Sequence, residues 1–143
     1  MSIAIDIRFI DKDDLAGIIP LLRLLNPDIP DAELWARLEQ MKLHNYQCVG
    51  AFDGDSLIGI SGIWILHKIY TGKHIELDNV CILPEFRGKG IGENLVSWIL
   101  DYAKNQGCQS AELNCYLGNK KGQEFWQNQG FEAVGYHYIQ KMN

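Results

Sequence analysis

Apolar residues recur along this chain at two spacings, and the switches between them mark out its elements. Ile3, Ile5, Ile7 and Phe9 alternate with Ala4, Asp6 and Arg8, which is the period of a half-buried strand. Leu15, Ile18, Ile19, Leu22 and Leu25 then return at helical spacing, with Asp11, Asp13 and Asp14 to cap the start and Pro20 to kink or divide the helix. A second helix begins at Pro30 and Asp31 and turns Leu34, Trp35, Leu38 and Met41 to one face. Residues 48–52, 57–66 and 75–83 read as strands of an antiparallel meander, joined by the turns Asp53-Gly54-Asp55-Ser56 and Tyr70-Thr71-Gly72-Lys73. A helix from about Gly90 follows, with Ile91, Leu95, Trp98, Ile99 and Tyr102 inward and Gly107 as its left-handed stop. A strand over residues 110–116, a short helix over about 119–129 and a final strand over 131–141, interrupted by Gly135, complete the chain.

This order, strands first and strand-helix-strand afterwards, predicts an α+β fold of α/β/α type. Its central sheet should be mixed and mostly antiparallel, with helices on both faces. A length of 143 residues with 47% apolar content is enough for one domain, 1–143, with its own core. No run approaches the roughly eighteen apolar residues of a membrane span. The first nine residues carry Asp6 and Arg8 within their apolar run, not a secretory pattern, so a cytoplasmic chain with no membrane partner is expected. The net charge of −5 argues against a nucleic-acid partner and suits a cationic or amine-bearing one. Cys48, Cys81, Cys108 and Cys115 form no Cys-x-x-Cys pair and have no histidines at zinc spacing, so buried reduced thiols are expected and no metal site.

Between the third meander strand and the following helix lies Pro84-Glu85-Phe86-Arg87-Gly88-Lys89-Gly90-Ile91-Gly92. Alternate glycines let a backbone approach a ligand and adopt positive φ, so that successive N–H groups converge on one anion. The helix adds its unpaired first-turn amides and the positive end of its dipole, and Arg87 and Lys89 add formal charge. A Walker loop needs Ser or Thr after its Gly-Lys, where this chain has Gly90. A Rossmann turn spaces its last two glycines three apart, not two. The segment therefore reads as a pyrophosphate-binding loop of another kind.

From Glu76 onward the chain resembles the GNAT N-acetyltransferase superfamily. Leu77-Asp78-Asn79-Val80-Cys81-Ile82-Leu83-Pro84 leading into Arg87-Gly88-Lys89-Gly90-Ile91-Gly92 looks like the family's acetyl-CoA motif. Asn119, Gly122, Phe125-Trp126 and Gly130-Phe131 are similar to its second cofactor-side motif. The resemblance implies a GNAT-like acyl-CoA N-acyltransferase fold with acetyl-CoA as co-substrate, seated in a V-shaped opening where the strand of residues 75–83 leaves that of 110–116. Its pyrophosphate would meet Arg87, Gly88, Lys89, Gly90, Ile91 and Gly92, and its pantetheine would pair with backbone near Cys81, Ile82 and Leu83. Asn119, Gly122 and Trp126 would contact it from the other side. Asn119 is also a natural helix N-cap, and Gly122 marks either a ligand or a packed element close to its helix.

Acetyl transfer to an amine needs a proton acceptor, a donor for the oxygen that gains charge, and help for the leaving thiolate. Glu76 and Asp78 project from one strand face, with Val80 and Ile82 following on that face, and either serves as base; reach favours Glu76. His74 beside them is a further group able to take the proton, though a lone exposed histidine is more often idle, and a backbone N–H near Ile82 reads as the oxygen's donor. Trp126 stands where many members carry a tyrosine acid, and indole N–H does not yield its proton. Tyr116 at its strand's end is the first replacement, with Tyr136 and Tyr138 next. The acceptor, a small-molecule or peptide amine, would be lined by residues 26–35, including Asp28, Asp31 and Glu33, and by Tyr136-His137-Tyr138. Aromatic residues on the last strand also offer an interface for a homodimer. The missing acid motivates an alternative function, a catalytically weak acyl-CoA binding or sensing module.

Overall fold

The computed structural model describes residues 4–142, so Ile3 of the expected first strand lies outside the described residues. Five strands, β1 (Ile5–Phe9), β2 (Gln47–Asp53), β3 (Ser56–Lys68), β4 (Gly72–Ile82) and β5 (Ser110–Glu112), form one sheet in chain order. The first three junctions are antiparallel and β4 pairs with β5 in parallel, which is the mixed sheet expected. Pro20 divides the first helical stretch. Lys12–Ile18 is a 3₁₀ segment and α1 (Ile19–Leu25) starts with the proline in its first turn, where the missing N–H costs no hydrogen bond.

Helices cover both faces of the sheet. Leu22 of α1 and Leu34 and Leu38 of α2 (Asp31–Lys42) share a core with Tyr46, Cys48, Ile60 and Cys81. Leu95, Val96 and Ile99 of α3 (Ile91–Asn105) pack on the opposite face against Val49, Ile63, Ile75 and Leu77, joined by Phe125 and Trp126 of α4 (Lys120–Asn128). Among the described residues, no helix is long and apolar enough to cross a membrane.

Two expected strands change. The one expected over 110–116 pairs with β4 only through His74↔Ser110, Ile75↔Ala111 and Glu76↔Glu112, and ends where the two part. The final one, expected over 131–141, does not form within the chain. Phe131 is anchored by its N–H to the Trp126 carbonyl, but residues 132–142 belong to no helix or strand and are exposed. A strand persists only beside a neighbour that meets its backbone groups, and among the described residues none stands beside these. The thiols differ as well: Cys48 and Cys81 are buried and free, whereas Cys108 and Cys115 are only half-buried.

Candidate active site

β4 does not run straight through its pairing with β3. Ile60 faces Cys81 and Gly62 faces Asp78, so three steps on β4 span two on β3. The extra residue is a β-bulge at Asn79, whose φ of 53° makes it the one non-glycine residue with positive φ among those described. A bulge reverses which face later side chains take. Val80 and Ile82 therefore join the α3 side, while Cys81 and Leu83 join Glu76 and Asp78 on the α1 side, which corrects the expected face for Val80 and Ile82.

Beyond Glu76 and Glu112, β4 has no neighbour on its outer edge among the described residues, and this gap is the opening expected between the two strands. Leu83 donates its N–H to Ile58 on β3. Backbone groups alternate in direction, so those of Ile82 point the other way, into the opening. There the Ile82 carbonyl accepts from Nε of Arg87 at 2.9 Å. Arg87 is thus turned back along the β4 edge and not toward the loop's amides. It lies near the Cys81 thiol, whose pKa burial raises and Arg87 opposes.

The glycine loop divides its roles. Gly88 and Gly90 both sit at φ 77°, and a Cβ on either would meet nothing within 4 Å, so these positions demand a backbone conformation and not space. Gly90 caps α3 in that left-handed state and offers no side-chain partner to the helix's first amides. Gly92 is not left-handed and sits inside the first turn, where a Cβ would lie 3.4 Å from the Phe125 ring, so its smallness serves the approach of α4. Ile91 is buried in the core, and Lys89 is exposed with its ammonium 5.4 Å from the Phe86 ring centroid. One left-handed turn leading into an uncapped helix N-terminus has the features of an anion cradle.

The two carboxylates differ in their surroundings. Asp78 accepts from Nε1 of Trp64 at 3.1 Å, whereas Glu76 is half-buried and, among the described residues, has no hydrogen bond to its carboxylate. Trp64 lies against the ring of Tyr46, with centroids 5.1 Å apart. Tyr46 is fully buried and its hydroxyl has no partner among the described residues. Burial, with Cys48 and Asp78 nearby, pushes that hydroxyl's pKa far above the usual tyrosine range, and burial pushes the Cys48 thiol up to about 12. His74, expected to be exposed, is 1% exposed, with Nε2 3.5 Å from Glu112 and Nδ1 unpartnered among the described residues. The Tyr70 hydroxyl donates to Glu112, which raises the Tyr70 pKa. Glu112, Tyr70 and Trp64 do not stand out in the sequence; the signal available for Trp64 is its polar-tipped aromatic within an apolar strand, and the pairing of Glu112 with Glu76 has none.

The second motif is only partly gathered. Asn119 caps α4, its Oδ1 accepting from Gly122 N–H at 3.0 Å, and a Cβ on Gly122 would fall 2.3 Å from the Asn119 amide nitrogen. The cap alone therefore accounts for the glycine. Trp126 makes edge contacts with Phe125 and Phe131 in the α3-side core. Tyr116 does not end a strand. It lies in the turn before α4, 85% exposed, where its carbonyl accepts from Asn119 and Gln123. Asp31 is clasped by Arg23 through two hydrogen bonds that hold its carboxyl below the usual range, and Glu33 pairs with Arg37, which leaves Asp28 as the exposed member of that trio without such a pair among the described residues. Tyr136 and Tyr138 project into solvent. Among the described residues, no three His, Cys, Asp or Glu side chains gather as metal ligands would.

Residues 16–131 match the model of the acetyltransferase (GNAT) family. Thialysine N-epsilon-acetyltransferase of Sus scrofa is 28% identical over 92 residues, which are 62% of this chain and 54% of that protein. The chain thus spans about half the length of that relative. Glucosamine 6-phosphate N-acetyltransferase of Arabidopsis thaliana is 28% identical over 117 residues, 76% of this chain and 78% of that protein. Among solved structures, AAC(6')-Iy in complex with the bisubstrate analogue CoA-S-monomethyl-acetylneamine superposes with a TM-score of 0.84 at 23% identity, over 98% of this chain and 99% of that one, a likeness of fold. With the family model covering most of its length, a bulged fourth strand and a left-handed glycine turn into α3, this chain belongs to the acetyltransferase (GNAT) family.

Proposed function

We propose that the chain is an acetyl-CoA-dependent N-acetyltransferase that moves an acetyl group directly to a primary amine of a small molecule or peptide. The observation that carries this is the adjacency of two features on one strand. β4 exposes an unpaired edge after its bulge, and it leads straight into the left-handed turn and uncapped amides of α3. A long ligand with a strand-like arm and an anionic diphosphate fits both at once. Acetyl-CoA is such a ligand, and it supplies the acetyl group as a thioester.

The remaining work falls to this chain's side chains. Asp78 or Glu76 takes the proton from the acceptor ammonium, directly or through water, so that a neutral nitrogen can attack. The Ile82 N–H, facing the opening, donates to the oxygen that gains charge. Tyr116 remains the first candidate to protonate the thiolate, although it must turn inward to do so. Glu76, Asp78 and Glu112 together make the acceptor side acidic, which favours a cationic amine. Relatives whose names specify thialysine and glucosamine 6-phosphate as acceptors support an amine acceptor in general.

The test is release of CoA thiol from acetyl-CoA by the purified protein across an amine panel. Acceptor-dependent release is expected. Tight acetyl-CoA binding with only background hydrolysis for every amine would replace this reading with that of a binding or sensing module.

A further inference from the structure

Three carboxylates share one face of the sheet. Alternation puts His74, Glu76 and Asp78 on the α1 side of β4, and the rung Glu76↔Glu112 brings Glu112 to that side too, because its neighbours Ala111 and Leu113 pack into the α3-side core. Between backbones, Glu112 thus stands about 4.8 Å from Glu76, one strand across, and about 8 Å from Asp78. Like charges directly opposite across a sheet are destabilising. Among the described residues no lysine or arginine pairs with either glutamate, and the nearby Lys73 is spent on the Gln106 carbonyl at the end of α3. The like-charge pair is left uncompensated.

Glu112 is nonetheless held from two sides. The Tyr70 hydroxyl, from the turn between β3 and β4, lies within hydrogen-bond distance of both carboxylate oxygens. From the interior, His74 sets Nε2 3.5 Å from Oε2 of Glu112; the ring is 1% exposed and its Nδ1 has no partner among the described residues. A polar group is costly to bury unless it meets a partner, and the carboxylate that this imidazole faces is Glu112. A carboxylate accepts at about four positions. With its side chain still 35% exposed, Glu112 keeps capacity for a donor that comes from the cleft.

We propose that Glu112 is a specificity-determining residue of the acceptor cleft: with Glu76 it takes a second ammonium group of the acceptor, while Asp78 serves the nitrogen being acetylated. This rests on the function proposed above and narrows its acceptor to an amine with a second cationic nitrogen. An ammonium carries three donors and no acceptor, so it fits between two carboxylates and removes the cost of their facing one another. The separation of about 8 Å between Asp78 and Glu112 is spanned by a chain of about five carbons. Tyr70 and His74 are positioning residues, which act on the acceptor through Glu112.

The test compares 1,5-diaminopentane with 5-amino-1-pentanol, which has the same length and a hydroxyl in place of the second ammonium, as acceptors for acetyl-CoA. For the parent protein kcat/KM should favour the diamine by at least about tenfold. The difference should lie in KM, because an ammonium remote from the reacting nitrogen is bound alike in the ground and transition states. Glu112→Gln keeps the size and removes the charge, and should abolish most of this preference. Tyr70→Phe, at a position 70% exposed, keeps the charge and frees the carboxylate, and should raise KM for the diamine more than for the amino alcohol. Equal use of the two acceptors by the parent, or a preference that survives both variants, overturns the proposal and leaves acetyl transfer standing. So does a Glu112→Gln variant whose kcat falls alike for both, since the carboxylate would then act in proton transfer. Absence of CoA release with every amine overturns the proposal and the function together.

Discussion

Trp64 donates its indole N–H to one carboxylate oxygen of Asp78, Oδ2, across 3.1 Å, and leaves the other oxygen for a second partner. Tyr46 backs the indole and fills the space over Gly62 so closely that a Cβ there would lie 2.6 Å from its ring. Asp78 is thus held on a rigid support, while Glu76 is not. Reach favoured Glu76 in the sequence; orientation favours Asp78 in the structure. Asp78→Asn should lower kcat/KM by roughly 10²–10⁴-fold, with Glu76→Gln less damaging. Trp64→Phe keeps the ring and removes the donor. Without that donor the carboxylate loses its fixed orientation, so kcat/KM should fall while acetyl-CoA binding stays unchanged. A kcat/KM equal to the parent's would remove Trp64 from the catalytic arrangement.

Gly90→Ala isolates the conformational demand of the loop. No atom lies within 4 Å of the new Cβ, so the penalty is that of the left-handed backbone alone, about 1–2 kcal/mol. Denaturant unfolding should register that loss, and calorimetric titration should show weaker acetyl-CoA binding as the amides turn from the cleft. An alanine tolerated without change in either measurement would mean that the turn is not held at φ 77° in solution.

Much of this architecture was written in local patterns. Alternation gave β1, apolar runs between turn sequences gave β2 to β4, helical spacing gave α2 and α3, and Gly88 and Gly90 announced their positive φ by being glycines. The bulge at Asn79 was not legible, because a single inserted residue leaves apolar residues in plausible places on both faces. Hence the face of Val80 and Ile82 came out reversed. His74 looked exposed because its burial depends on β5 and the Tyr70 turn, which come from elsewhere in the chain. Residues 131–141 have the composition of a strand, but composition does not show whether a neighbour stands beside it to meet its backbone groups.

Tyr46 and Cys48 predict a specific alkaline weakness. Their pKa values are raised in the folded state above the unfolded values, near 10 for tyrosine and 8.5 for cysteine. The stability they confer is therefore complete below about pH 8.5, and is lost as pH rises toward the folded values. Tyr46→Phe removes a buried hydroxyl without a partner, so it should be neutral or stabilising, by up to about 1–3 kcal/mol at pH 7. Its advantage over the parent should widen above about pH 10. The fall between about pH 8.5 and 10 should persist in this variant, since it belongs to Cys48. Urea midpoints measured from pH 7 to 10.5 decide this, and parallel curves would count against burial of the Tyr46 hydroxyl.

Asn119 and Gly122 give the most discriminating cycle. Alanine at 122 would bring a Cβ to 2.3 Å from the Asn119 amide nitrogen and push the cap off Gly122 N–H. The lost cap costs about 1 kcal/mol, and replacing an interior helical glycine with alanine returns about 1 kcal/mol. Gly122→Ala alone should therefore leave stability nearly unchanged. Asn119→Ala alone has no such offset and should cost about 1 kcal/mol. In the double variant the cap is already gone and nothing opposes the alanine, so Gly122→Ala should there recover about 1 kcal/mol. The two changes are then coupled by about 1 kcal/mol, well beyond the scatter of additive pairs. Additive effects in urea unfolding would show that the cap does not explain the glycine. Closeness to a bound coenzyme would then be the reason for it, and Gly122→Ala should raise KM for acetyl-CoA while gaining about 1 kcal/mol of stability.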